Sequence, residues 1–225
     1  MAPTYATGPL SPRATAKHVL LEQYPRWVRG RLGGETVVDS TRAALLYESG
    51  RLPVWLFPEE DVRLDRVPAD AVHRRHDLIH VEFHALDEWL EEDEPQIGHP
   101  PDPYHRIDVR ASSRHIRISI GGRRVADTRR ARALFETNLP TRWYIPRDDV
   151  EAELEPSDHR TICAYKGHAT HFDVAGDDAV AWCYEDPLHD ALPVKGLVAF
   201  YNERVDVEID GELEERPQTQ WSRSR

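Results

Sequence analysis

The chain has 225 residues, 31% of them charged and 40% hydrophobic, with a formal net charge of −11 at pH 7. That length fits one large domain or two of about 100 residues, and the apolar share suffices for small cores of a soluble protein. The acidic balance excludes a nucleic-acid or anionic-membrane surface, because phosphate is held by basic patches.

No apolar run is long enough to span a membrane and no signal-peptide pattern opens the chain, which points to the cytoplasm. Residues 1–18 begin with the small, polar and proline-containing MAPTYATGPLS, read as a disordered tail. The architecture then follows from a repeat. Gly33 to Val62 recurs 88 residues later, without a gap, as Gly121 to Val150. Twelve of the thirty positions are identical, against roughly two by chance. Two copies of one structural unit are therefore expected, over residues 19–113 and 114–211, followed by a second tail over 212–225.

Each copy opens as a hairpin: Val28 to Val38 around Gly33-Gly34, and Ile116 to Val125 around Gly121-Gly122. A short helix is expected next. Asp39 or Ser40, and Asp127 or Thr128, offer N-cap oxygens. Ala43, Leu46 and Tyr47, matched by Ala131, Leu134 and Phe135, fall at helical spacing. Gly50 and Asn138 supply a left-handed helix end. Strands follow at Val54–Phe57 and Arg142–Ile145, each closed by proline and an Asp-Val pair. Beyond Val62 and Val150 the copies diverge, with strands expected at Ile79–Phe83 in one and at Phe172–Val174, Val180–Tyr184 and Leu197–Tyr201 in the other. The fold class is mainly β, with a minor α+β character: two tandem small antiparallel β domains, each with a short helix.

Shared polar positions read as structure. Asp39, Arg42, Glu48, Trp55 and Asp61 match Asp127, Arg130, Glu136, Trp143 and Asp149; the aspartates would cap helices, Arg and Glu would pair, and the tryptophans would fill the core. His80, Glu82 and His84 share one face of a strand, better read as a solvated face than as a metal site. The run Asp87 to Glu94 reads as an exposed acidic segment anchored by Trp89 and Leu90, and Asp102-Pro103-Tyr104-His105 as loop geometry. Two cysteines without a CxxC pair exclude a zinc knuckle, and no metal or cofactor is expected.

The unshared cluster is PSDHRTICAYKG, Pro156 to Gly167, where the first copy has PADAVHRRHDLI with Asp77-Leu78 in place of Tyr165-Lys166. Lysine stands only at 17, 166 and 195 among 29 basic residues, so Lys166 is a marked choice. It can hold an anion or act as a nucleophilic amine, with Asp158, His159 and Tyr165 as proton-transfer or orienting groups. The bland alternative is a solvated loop with local turn hydrogen bonds.

The succession GGRRVADTRRARALFET, WYIPRDDV, PSDHRTICAYKGHATHFDV, AWCYEDPL and VAFYNERVDV resembles the bacterial and fungal domain of unknown function 427 family. The second copy matches throughout, the first through Val62 and in DPYHRIDVRASSRH. The resemblance implies small β domains similar to the tent-like fold of the Mss4 and methionine-sulfoxide-reductase B group, and a nucleotidyltransferase-type filing without an established activity. It also implies a cleft between sheets, lined in the second copy by Tyr144, Asp149, His159, Cys163, Tyr165, Lys166 and Trp182.

Three readings follow. The first is a small anionic or aromatic ligand in the second domain, held by Tyr144, Arg147, Tyr165, Lys166, Trp182 and Arg130, with Lys166, Asp149, His159 and Cys163 as candidate catalytic groups. The second is a metal-dependent nucleotidyl-type transferase with Mg²⁺ on Asp148 and Asp149. The third is a non-enzymatic module that binds a protein partner through its acidic segment and the face between the copies.

Overall fold

A computed structural model describes residues 19–48 and 51–222; the tail expected over 1–18 and the helix end expected at Gly50 lie outside the described residues. The chain divides between Tyr104 and His105 into two compact units. Unit 1 contains β1 (Val19–Gln23), β2 (Val28–Leu32), β3 (Glu35–Ser40), β4 (Ala44–Glu48), β5 (Val54–Leu56), β6 (Val72–Arg75), β7 (Leu78–Val81), β8 (Glu88–Glu91) and β9 (Glu94–Gln96). Unit 2 contains β10 (Ile107–Ala111), β11 (Ile116–Ile120), β12 (Arg123–Thr128), β13 (Arg132–Glu136), β14 (Arg142–Ile145), β15 (Glu155–Cys163), β16 (Gly167–Val174), β17 (Asp177–Cys183), β18 (Val198–Phe200), β19 (Asp206–Ile209) and β20 (Glu212–Leu213). The protein is mainly β and its pairings are antiparallel; the described helical elements are short 3-10 turns.

The repeat is a structural one. The hairpins β2–β3 and β11–β12 turn on glycine pairs with positive φ, 59° and 81° at Gly33-Gly34 and 57° and 80° at Gly121-Gly122, values that L side chains resist. Both carry a register break at the same place, after Gly30 and after Ile118. The Asp-Val pairs recur too: Val62 bridges Val38, and Val150 bridges Ala126.

The expected short helix is a strand in both units, β4 and β13. The capping chemistry is present but serves a tight turn. The Ser40 hydroxyl accepts from Arg42 N (3.1 Å) and donates to Asp61, as the Thr128 hydroxyl accepts from Arg130 N (2.9 Å) and donates to Asp149. The strand after the turn is covered on both faces, so Leu45 and Leu46, like Ala133 and Leu134, are adjacent and buried. Burial on both faces erases the period of two that would mark a strand. Asn138 keeps the left-handed conformation predicted for it (φ 66°), in the β13–β14 turn.

Three further expectations are corrected. Asp87 to Glu94 forms the β8–β9 hairpin, in which Trp89 and Glu91 are buried. Phe83 and His84 leave the β7 strand for a 3-10 turn. The segment after Glu212, read as tail, forms β20 and then sends Thr219 to Glu203 and Trp221 against Tyr201.

In unit 2 a seven-stranded sheet, β10-β13-β14-β18-β17-β16-β15, packs one face on the four-stranded sheet β12-β11-β19-β20. Ile116, Ile118, Val125, Trp143, Phe172, Cys183 and Phe200 fill the space between them. The other face carries a separate cluster of Leu134, Tyr144, Trp182, Tyr184 and Ala199, covered by Ala191 and Val194 of the 3-10 segment His189–Val194. Unit 1 pairs its four-stranded sheet β3-β2-β8-β9 with the shorter β1-β4-β5 around Tyr24, Trp55, Phe57 and Trp89.

Candidate functional site

Strand parity decides which predicted residues meet. Cys163 stands opposite Gly167 and Thr161 opposite Ala169, so Cys163 shares the face of Ala169, Tyr144 and Trp182. Cys183 points into the space between the sheets. The two cysteines are free, and the sheet separates them, which excludes a disulfide. Burial pushes the Cys183 thiol up to about 11, an inert structural thiol.

Lys166 lies in the β15–β16 turn, where Gly167 takes a φ of 99° and a Cβ at that position would touch the backbone of Asp186, Pro187 and Leu188. The turn drives the lysine inward, its side chain 9% exposed, onto Glu136 at the end of β13, 4% exposed. The second carboxylate oxygen of Glu136 accepts from His105 Nε2 at 2.9 Å. Tyr165 stacks on the His105 ring, with centroids 3.9 Å apart and planes 13° apart. Burial pushes the Glu136 carboxyl up, but the His105 hydrogen bond and the Lys166 charge outweigh it and hold the group below the usual carboxylate range. The buried Tyr144 and Tyr184 phenols are pushed well above their ordinary value, first by burial and then by the charges of neighbours that include Glu136. Trp182 Nε1 donates to the Tyr144 hydroxyl at 3.2 Å.

The sheet thus gathers Tyr144, Cys163, Tyr165, Lys166 and Trp182 on one face and adds Glu136 and His105, which sequence reasoning missed. The sequence pattern puts Glu136 in the shared structural set as a partner for arginine, and His105 in a loop. Arg130 in fact binds Asp149 (2.5 Å), as Arg42 binds Asp61 (2.5 Å), while the counterpart Glu48 pairs with Arg51. The detectable signal was that Glu136 is shared in sequence while its partners, Lys166 and His105, are not.

The remaining candidates stand elsewhere. Asp149 has one oxygen on Thr128 (2.5 Å) and the other on Arg130, the role Asp61 fills in unit 1, and Asp148 beside it is exposed. Arg147 lies over Phe172 on the opposite side of the sheet and bonds Glu185 and Gly196 O. His159 is exposed, with its ring edge-on to His171 at 4.5 Å. The cleft implied between the sheets is occupied by core side chains. In unit 1, His73 bonds Glu82 at 2.9 Å and His80 bonds Trp55 O at 3.2 Å.

The fold and site define a mainly β protein of two related units, one carrying a buried Lys–Glu–His constellation that the other does not repeat at the matching positions. A family model described as domain of unknown function (DUF427), filed under a nucleotidyltransferase-type name, matches residues 20–76 and 108–211; the chain belongs to that family. No curated protein matches it. Among the described residues no helix is long and apolar enough to cross a membrane.

Proposed function

We propose that unit 2 binds a small anionic or aromatic molecule at the face formed by Tyr165, His105, Lys166 and Glu136. The observation that carries this reading is the buried Lys166–Glu136 pair. Burying two charges costs more than burying an apolar pair of similar size, and the Glu136 carboxyl is held below its ordinary range there. Unit 1 builds its corresponding sheet without them. Cys163 and Tyr165 are half-buried, and His105 is 17% exposed at its side chain, so the cluster has a solvent side. There the Tyr165 and His105 rings offer a stacking surface, Lys166 has ammonium protons beyond the one given to Glu136, and His105 can take or release a proton with Glu136 holding its orientation.

Thermal shifts against a panel of nucleotides, sugar phosphates and aliphatic carboxylates test this. Wild-type protein should be stabilised by at least one member, and Lys166→Met and His105→Gln should abolish that response. If no member stabilises the wild type, or if both variants respond as it does, the reading fails.

A further inference from the structure

Unit 2 contains a cavity of about 500 Å³ whose walls include Ser112, Arg114, Phe135, Trp143, Ile209 and Pro217. It lies on the Trp143 side of the seven-stranded sheet and contains none of the Lys166 constellation. Its size is that of a small-molecule pocket, and Phe135 stands in its wall at 46% exposure. The repeat shows what is missing from it.

The matching place in unit 1 is filled from within. Tyr24 is buried there with its ring 6.3 Å from Trp55, the counterpart of Trp143. Its hydroxyl donates to Glu91, and Arg26 pairs with the other oxygen of the same carboxylate. At 88 residues' offset Tyr24 becomes Ser112 and Arg26 becomes Arg114. Glu91 has its counterpart through the sheet register: Val28 pairs with Glu91 in unit 1, and Ile116 with Ile209 in unit 2. Thus Tyr24, Arg26 and Glu91 correspond to Ser112, Arg114 and Ile209, all three of which line the cavity. Unit 2 has lost the ring and the carboxylate and kept the arginine, which turns outward to Asp210 at 2.7 Å.

We infer that this cavity binds a small aromatic acid, its ring seated against Trp143 where Tyr24 sits in unit 1 and its carboxylate on the Arg114 guanidinium, above Ile209 and in competition with Asp210. An aromatic ring recovers the apolar contact that Ser112 gives up, and a carboxylate on guanidinium forms the strong, directional charged pair that Arg26 already shows. Glu214 and Glu215 stand in the lining against Arg110 and Arg114 and offset their charge, which favours a monocarboxylate over a phosphate dianion. This site is independent of the Lys166 reading.

Ligand-observed NMR and calorimetry with 4-hydroxyphenylacetate, against its neutral amide, test the inference. The acid should bind, and the amide about tenfold more weakly, the value of one charge-assisted contact. Ser112→Tyr should close the cavity, raise Tm and abolish acid binding, while keeping any thermal-shift response that belongs to Lys166. Arg114→Met should weaken the acid about tenfold and leave the amide unchanged, a test that stands if Ser112→Tyr does not fold. Equal binding of acid and amide, undiminished acid binding by either folded variant, or no acid binding up to roughly 5 mM, weaker than one ring and one charged contact should give, would overturn it.

Discussion

Lys166 and Glu136 meet as an ion pair whose side chains are 9% and 4% exposed, and neither can be removed alone at low cost. Glu136→Gln leaves a buried ammonium without its counter-charge, which should destabilise the protein by about 3–5 kcal/mol. Replacing both, as Glu136→Leu with Lys166→Met, should recover much of that loss, because the desolvation of both charges disappears with them. Urea unfolding of the two singles and the double decides it. A double variant as unstable as the sum of the singles would contradict a pair held by mutual compensation.

His171 supplies a separate pH dependence. It is 1% exposed, with its Nε2 3.4 Å from the Tyr201 hydroxyl. Burial first, and then the charges of His159 and Arg160, lower its pKa to about 4. The unfolded chain therefore takes up the proton before the folded one. Stability should fall as pH drops from about 6.5 to about 4 and level off below that window, by at most about 3.4 kcal/mol at 1.36 kcal/mol per pH unit. Glu136, whose pKa is lowered, loses its contribution as pH falls from the ordinary carboxylate value through its folded one. His171→Leu should flatten the upper limb and spare the lower one in denaturant midpoints measured across pH 3.5 to 8.

The turn after β3 and after β12 makes a prediction that both units must satisfy. Ser40 and Thr128 each accept from the arginine N–H two residues on and donate to the aspartate of the following 3-10 turn. Ser40→Ala and Thr128→Val should each cost about 1 kcal/mol. Similar losses in the two units would mark Asp61 and Asp149 as fold-holding carboxylates. A Thr128→Val that leaves stability intact but alters ligand response would instead return Asp149 to the functional set.

Where sequence and structure part, the cause is local. The Gly33-Gly34 and Gly121-Gly122 hairpins were readable because few residues other than glycine tolerate those turns, and alternation on half-buried strands is visible in the residues themselves. β4 and β13 were misread because strands buried on both faces lose their alternation, while Ser40 and Thr128 hold capping chemistry suited to a turn as well as to a helix. Lys166 was legible by contrast with unit 1, as an unshared residue in a lysine-poor chain. Its partners were not. Glu136 is identical in kind to Glu48, and only the different neighbours, 30 and 31 residues away in sequence for Lys166 and His105, give it a different role. Such pairings come from the β10–β13 register and the β15–β16 turn, both of which draw on residues outside the repeated Gly121–Val150.

The C-terminal segment should prove integral to unit 2. Arg142 and Glu203 form a two-pronged salt bridge at 2.7 and 2.8 Å, with side chains 5% and 0% exposed. Burial pushes the Glu203 carboxyl up, yet the bonds from Arg142 and Thr219 hold it below the usual range. Thr219 donates to Glu203 at 2.7 Å, and Trp221 lies under the Arg142 guanidinium at 5.5 Å, beside Trp182 at 5.6 Å and Tyr201 at 5.8 Å. Truncation after Glu215 removes a hydrogen bond to a buried charge and one of three rings around a buried cation, and admits water to both. The expected loss is roughly 2–4 kcal/mol, from a charged hydrogen bond and a desolvated cation–π contact. Thr219→Val alone should account for about half of it. Hydrogen exchange should show the loss as faster opening of β14 and β18, the strands beside the salt bridge. An unchanged urea midpoint on truncation would show instead that Arg142 and Glu203 are satisfied without the segment.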